Sequence, residues 1–342
     1  MLAAPLIVRS AADVAADRQE VVMFLHDFSF RPAAEVLAEI TGGDGSMAGM
    51  DMGEATPAPD PMAGMDMSAA APDMNDFNFD AYLANDRTLN DPDVVRVDTG
   101  GRVRLRIINA AAATVFWIDT GALDGRLVAV DGHAVQPLPG RRFGLAMGQR
   151  LDIELDLPNG EGAFPVLALR EGAVERTGII LATAGATIER LAGIGQTAAA
   201  AFDTDLSQES ALRAMAPLSD RPVDTQATLV LGGAMQPYVW TINGQTWGNH
   251  VPVTAISGQR VEVTFQNTSM MGHPMHLHGH VFQVVAINGK RFAGAMRDTV
   301  QVAPMATITV ALDAGEAARW MLHCHHMPHL ASGMMTEFAV SA

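Results

Sequence analysis

Residues from the middle of this 342-residue chain recur near its end. YLANDRT at 82–88 parallels WTINGQT at 240–246, and RVRLRIIN at 102–109 parallels RVEVTFQN at 260–267. Asn85 to Asn109 and Asn243 to Asn267 are both 24 residues apart. Further on, VAVDG (128–132) echoes VAING (285–289), and LDIELD (151–156) echoes ITVALD (308–313). Self-similarity over so long a period means one structural unit used twice. The repeated segments are short runs of Val, Ile, Leu and Thr bounded by Gly, Asn and Asp, the pattern of strands and tight turns. An all-β fold of tandem Greek-key sandwiches is therefore expected. Helix is expected only at AAEVLAEI (33–40) and ERLAGIGQTAAAAF (189–202).

Between and around the repeats lie segments of different composition. Residues 41–74 are Gly, Pro, Ala, Asp and Met, with MAGMDM occurring twice, a tract expected to be flexible. Its thioethers are soft ligands suited to Cu(I). A polar, Ala-rich stretch at 186–222 reads as a partly helical linker wrapped on the surface. The expected organisation is a short β-segment over 1–40, the Met-rich insertion over 41–76, one sandwich over 77–185, the linker over 186–222 and a second sandwich over 223–342.

The charge balance of 22 basic against 38 acidic residues disfavours nucleic acid and anionic membrane surfaces as partners. A single cysteine, Cys324, rules out an internal disulfide and directs attention to its thiolate chemistry. The opening MLAAPLIVRSAADVAADRQ lacks a basic region before its apolar start, so it does not read as a signal peptide.

The chemistry is concentrated in two segments, HPMHLHGH at 273–280 and HCHHMPHLASGM at 323–334. Successive side chains in a strand point to opposite faces. His276 and His278 therefore share one face, while His273, before a proline, can turn elsewhere. Likewise His323 and His325 share a side and Cys324 faces the other. One strand can then join two metal centres. A thiolate, two imidazoles and a weak thioether make a blue-copper ligand set, and Cys324, His329, Met334 and the distant His273 supply it. His280 and His326 adjoin these motifs without a ligand position of their own and are expected on the surface or behind the ligands. His26, His133 and His250 read as ordinary strand or turn histidines, and Asp298 as a strand-end ion-pair partner.

These two segments resemble the C-terminal copper signatures of multicopper oxidases, the family of laccases, cuprous oxidases and copper-resistance oxidases. The resemblance implies cupredoxin domains throughout, with His273, Cys324, His329 and Met334 on type 1 copper. It implies His276 on type 2 copper and His278, His323 and His325 on the type 3 pair. It further implies a Cu(I) or phenol-like electron donor, dioxygen as acceptor and a periplasmic or extracellular location, and the Met-rich tract tilts the donor toward cuprous ion. Cys324, His323 and His325 would carry the electrons.

The family takes four further cluster histidines from two His-x-His motifs in its first domain. Before residue 273 this sequence has only His26, His133 and His250, none in such a pair. The chain is thus expected to begin inside an incomplete first domain, with the type 1 site whole and the type 2 and type 3 sites half-built. Another chain would be one way to complete the cluster. A non-catalytic electron carrier or copper buffer, using only the type 1 site and the Met-rich tract, is the alternative.

Overall fold

Each copy of the repeat forms a β-sandwich in a computed structural model that describes residues 3–42, 74, 76–202 and 205–342. In the N-terminal sandwich a six-stranded sheet runs in the order Ala81–Ala84, Gln19–Phe28, Arg102–Asn109, Arg150–Asp156, Gly125–Val130, His133–Gly140. A five-stranded sheet faces it, in the order Asp93–Arg96, Arg176–Ala182, Ala163–Arg170, Phe116–Asp119, Arg142–Leu145. Leu105, Ile107 and Ile153 from the first sheet and Phe116, Ile118 and Ile179 from the second share one apolar core.

The C-terminal sandwich repeats this plan. Thr225–Met235 pairs parallel with Arg260–Asn267 and antiparallel with Tyr238–Ile242, as Gln19–Phe28 pairs parallel with Arg102–Asn109 and antiparallel with Ala81–Ala84. Its second sheet runs Val253–Ile256, Met335–Ser341, Arg319–Cys324, His273–Leu277, Thr299–Val302.

The asparagines of the repeat make matching contacts in the two copies. Asn85 and Asn243 both adopt positive φ, and each accepts from a backbone N–H of the first strand, Phe24 or Val230. Asn109 donates to the Thr114 and Leu145 carbonyls, and Asn267 donates to those of Met271, Val302 and Ala303. Both asparagines are buried, so each satisfies carbonyls that would otherwise be costly to enclose. The hairpin turns Asp131-Gly132 and Asn288-Gly289 have four positive φ angles between them, the type I′ signature.

Two expectations need correction. The stretch 1–40 is not a separate remnant, because Gln19–Phe28 is an internal strand of the N-terminal sandwich, hydrogen-bonded on both edges. Second, 189–202 is not helical. Gly193 and Gly195 weaken helix there, and the backbone is committed to a strand edge: Arg176 N–H donates to Gly193, Gly195 N–H to Val174 and Ala199 N–H to Ala173. Ala33–Ile40 is helical as expected, Ser207–Ala211 is a short helix within the 186–222 linker, and Ala11–Ala15 and Met327–Ala331 form short helices that went unforeseen. Apart from Met74 and Asp76, the Met-rich insertion beyond Gly42 lies outside the described residues, and so does the Cu(I) binding expected of its repeated motif. No helix among the described residues is long and apolar enough to cross a membrane.

The two sandwiches meet beside the histidine motifs. Arg150 of the first binds Asp298 of the second at 2.5 and 2.7 Å, and the fully buried Arg297 reaches Asp131 at 3.0 Å.

Candidate metal centre

Cys324 ends the strand Arg319–Cys324, and its side chain points into the sandwich. Its Sγ lies 3.8 Å from His273 Nδ1 and 3.7 Å from His329 Nδ1, and the two nitrogens are 3.1 Å apart. All three residues have zero exposure. The short helix Met327–Ala331, opened by Pro328 in its first turn, turns His329 back toward Cys324. His273 is aimed from behind: its Nε2 is 2.9 Å from the Ser269 hydroxyl, which in turn donates to Asn267 Oδ1 at 2.8 Å. The repeat asparagine thus reaches the site through one serine. With Nε2 protonated for that bond, His273 presents an Nδ1 lone pair to the cluster.

Met334 is fully buried, and its backbone bridges the other ligand-bearing elements: its C=O accepts from Cys324 N–H at 3.1 Å and its N–H donates to His329 C=O at 3.0 Å. Gly333 makes this possible at φ +118°, where a Cβ would stand 2.6 Å from Thr246 Cβ. Burial holds His273 and His329 well below the usual histidine range and pushes the Cys324 thiol up. The imidazoles are therefore neutral ligands, and a metal must displace the thiol proton.

The second cluster forms on the opposite side of the same strands. His278 Nε2 is 3.0 Å from His323 Nε2, and His276, His278 and His323 each bring a ring nitrogen within 4.8 Å of the others. The His325 ring stands 5.8 Å from those of both His276 and His323. Neighbouring carbonyls set two tautomers: His276 Nδ1 donates to Asp298 C=O at 2.9 Å and His323 Nδ1 to Cys324 C=O at 2.9 Å, so each Nε2 stays free. Burial lowers His323 to about 4. His325 packs on the N-terminal sandwich, where Gly148, at φ +77°, leaves no Cβ to collide with the ring at 2.5 Å.

Alternation thus sends the four histidines one way and Cys324 the other, as the sequence pattern implies. Asp298 pairs with Arg150 and not with its neighbour Arg297, and burial, which would raise its carboxyl, is outweighed by Arg150, leaving it below the usual range. His280 is buried, donating from Nδ1 to His278 C=O and accepting Gly315 N–H at Nε2. His326 is also buried, and its ring stacks on His329 at 3.9 Å. A surface position is thereby excluded for both. His26 lies in the strand Gln19–Phe28, His133 opens another and His250 pairs with Glu337; none joins either cluster.

Three neighbours of His329 carried no recognisable sequence signal. Asp76 Oδ2 lies 3.6 Å from His329 Nε2 and 3.8 Å from His326 Nε2, and it accepts from the Tyr238 hydroxyl. Trp240 covers the His329 ring at 4.3 Å. Asp76 follows a low-complexity tract and Tyr238 and Trp240 sit in an ordinary strand, so no spacing announces the contact.

Two family models, both described as multicopper oxidase, match residues 56–186 and 220–342. The chain belongs to the multicopper oxidase family. Multicopper oxidase MmcO of Mycobacterium tuberculosis is 32% identical over 275 residues, covering 78% of this chain and 51% of that protein. Copper resistance protein A of Escherichia coli is 25% identical, covering 70% of this chain and 56% of that protein. The chain thus spans about half the length of these relatives. Among solved structures, the multicopper oxidase Fet3p has a TM-score of 0.73 at 14% identity, covering 98% of this chain and 68% of that one. Laccase from Botrytis aclada has a TM-score of 0.69 at 17% identity, covering 94% and 64%. These likenesses establish the cupredoxin-type fold of the chain. The family is one of copper-dependent oxidoreductases.

The buried residues suit that metal. Among the described residues, a neutral lone pair at His273 Nδ1 faces His329 Nδ1 and a thiol in a dry pocket, a soft, convergent donor set that fits copper. His276 and His323 likewise turn free nitrogens toward His278.

Proposed function

We propose that the chain takes electrons from a reducing donor, cuprous ion or a phenol-like molecule, and that His273, Cys324, His329 and Met334 would hold the copper that accepts them. His276, His278, His323 and His325 would hold half of the copper cluster at which the family reduces dioxygen to water, and that reduction would need the cluster histidines these 342 residues do not carry. Bound copper would supply the one-electron exchange with the donor and the oxygen chemistry.

The protein's own part follows from its geometry. Cys324 gives up its thiol proton on loading, and burial at zero exposure keeps water off the sulfur. His323 and His325 flank Cys324 in the chain, so the path from sulfur to the second cluster is covalent up to the imidazoles. Asp298, Thr299 and the Cys324 carbonyl fix ring orientation, which limits rearrangement on electron transfer. The observation that carries this reading is the position of Cys324, with its sulfur in one cluster and its neighbours in the other. Copper-loaded protein should show intense blue absorption that Cys324→Ser abolishes; colour surviving in that variant would refute the assignment.

A second reading has one observation in its favour. Among the described residues only four histidines gather at the oxygen-side cluster, where the family uses eight, and His26, His133 and His250 lie elsewhere. On that reading the chain binds copper and carries electrons without reducing oxygen. Metal analysis separates the two: copper bound at the histidine cluster in addition to the blue site favours the first, and a single copper per chain the second. A periplasmic or extracellular setting fits either reading.

A further inference from the structure

Each copy of the repeat ties its hairpin turn to a neighbouring strand by the same lock. In the C-terminal copy, Asn288 N–H donates to Thr307 C=O at 2.7 Å and Thr307 N–H donates to Asn288 Oδ1 at 2.8 Å. In the N-terminal copy, Asp131 N–H donates to Arg150 C=O at 2.9 Å and Arg150 N–H donates to Asp131 Oδ1 at 2.9 Å. An exposed asparagine and a threonine are thus enough to close the lock. The N-terminal copy instead spends a buried carboxylate and a guanidinium on it. Enclosing charge is costly unless it is paired, so the exchange needs a reason outside the turn.

The reason lies across the interface, on the C-terminal sandwich. The second oxygen of Asp131, Oδ2, accepts from Arg297 at 3.0 Å, and Arg150 grips both carboxylate oxygens of Asp298 at 2.7 and 2.5 Å. The guanidinium is itself fixed by the carbonyls of Gly148 at 2.9 Å and Asp131 at 3.2 Å. Thr299 follows Asp298, and its hydroxyl donates to Asp298 Oδ1 at 2.8 Å. With its one proton committed there, the Thr299 oxygen can only accept from His276 Nδ1, 3.0 Å away. The Asp298 carbonyl, an acceptor by nature, lies 2.9 Å from the same nitrogen. Both neighbours therefore require the proton on Nδ1, which leaves the Nε2 lone pair for the cluster.

We infer that Arg150 is a positioning residue for the histidine cluster: by clamping the Asp298 carboxylate it makes the Thr299 hydroxyl an acceptor and holds His276 with Nε2 free. The N-terminal sandwich contributes no histidine to the cluster among the described residues, yet it sets the tautomer of one. Without Arg150 the Asp298 side chain is free to leave the Thr299 hydroxyl. A hydroxyl that then donates to Nδ1 favours the Nε2–H tautomer, which has no lone pair to offer a metal. The inference rests on the proposed function only for the metal that the ring would hold, since the tautomer belongs to the metal-free chain.

Long-range proton–nitrogen NMR on the metal-free full chain, in mildly alkaline solution where imidazoles are neutral, reads the tautomer ring by ring. His276 in the unaltered chain should be in the Nδ1–H form. Arg150→Met, checked for native near-UV dichroism, should turn His276 into a mixture of the two forms. It should leave His323 unchanged, because the Cys324 carbonyl sets that ring from within the C-terminal sandwich. Thr299→Ser keeps the hydroxyl and should keep His276 as it is. Should the methionine variant fail to fold, Arg150→Lys retains the charge but cannot span both carboxylate oxygens, and should shift His276 the same way by less. Copper at the histidine cluster should be held about tenfold or more weakly in the folded Arg150 variant, with blue absorption retained. An unaltered His276 in that variant would overturn the inference. So would His276 and His323 changing together, the mark of a loosened interface, or undiminished copper affinity at the cluster. Failure of the colour test would sink the proposed function and leave the tautomer result standing.

Discussion

The two sandwiches share a backbone plan and differ at a handful of side chains. Phe116 pairs with Leu145, and Asp119 with Arg142, in the same register in which His273 pairs with Val302, and His276 with Thr299. Phe116 therefore occupies the place of His273, and Asp119 that of His276. Across the adjacent strand, Ala168 faces Ile118 as Cys324 faces Met275, and Leu167 faces Asp119 as His323 faces His276. The N-terminal copy puts Phe, Ala and Leu where the C-terminal copy puts His, Cys and His. A metal centre in this fold needs few substitutions, because the shared asparagine locks already hold the loops in position.

The largest expected effect comes from writing the N-terminal residues into the C-terminal copy. Cys324→Ala, which installs the residue of Ala168, should remove all blue absorption while leaving stability of the metal-free protein within about 1 kcal/mol, since a buried thiol behaves as a small hydrophobe. His273→Phe should remove the colour too. Visible spectra and urea melts check both.

Next is the lock itself. Asn109→Ala and Asn267→Ala each orphan buried carbonyls and should each cost about 2–4 kcal/mol in urea unfolding. Only Asn267→Ala should also alter the copper spectrum, because only Asn267 reaches a ligand, through Ser269 and His273. Equal spectral effects would mean the copies are more coupled than the geometry shows.

A smaller effect probes the face that the N-terminal sandwich contributes. Gly148→Ala should push on the His325 ring and lower copper bound at the histidine cluster, with blue absorption retained. Gly132→Ala also sits at positive φ, but in open space, and should cost about 1 kcal/mol of strain with no change in bound copper. Metal analysis of both variants makes the comparison.

The smallest effect is in pH. His323 binds its proton less readily when folded, at about 4 against 6.5, because of burial. The unfolded chain therefore takes up more protons between those values, so stability of the metal-free protein should fall as pH drops from about 6.5 to about 4. Copper loading should blunt that fall, and thermal melts across the range would show it.

Much of this organisation was legible in the sequence. The repeat, its asparagines and the two-sided alternation of HCH depend on local spacing, and strand geometry converts spacing directly into direction. The strand Gln19–Phe28 was harder, because the long insertion separates it from its hairpin partner Ala81–Ala84, where the second copy joins Thr225–Met235 to Tyr238–Ile242 through two residues. Asp76, Tyr238 and Trp240 reach His329 only through tertiary packing. His326 looked peripheral because strand alternation ends at His325, and the turn into Met327–Ala331 buries it instead. The stretch 189–202 was misread because alanine content suggested helix while unpaired strand edges nearby claimed its backbone.

The central claim is that electron entry is complete in the C-terminal sandwich, while oxygen reduction needs histidines that these 342 residues do not carry. Oxygen uptake by the copper-loaded chain, with Cu(I) or a phenol as donor, tests it most directly. The account predicts that the donor bleaches the blue colour and that no sustained oxygen uptake follows. Continuous uptake by the chain as a monomer would contradict it.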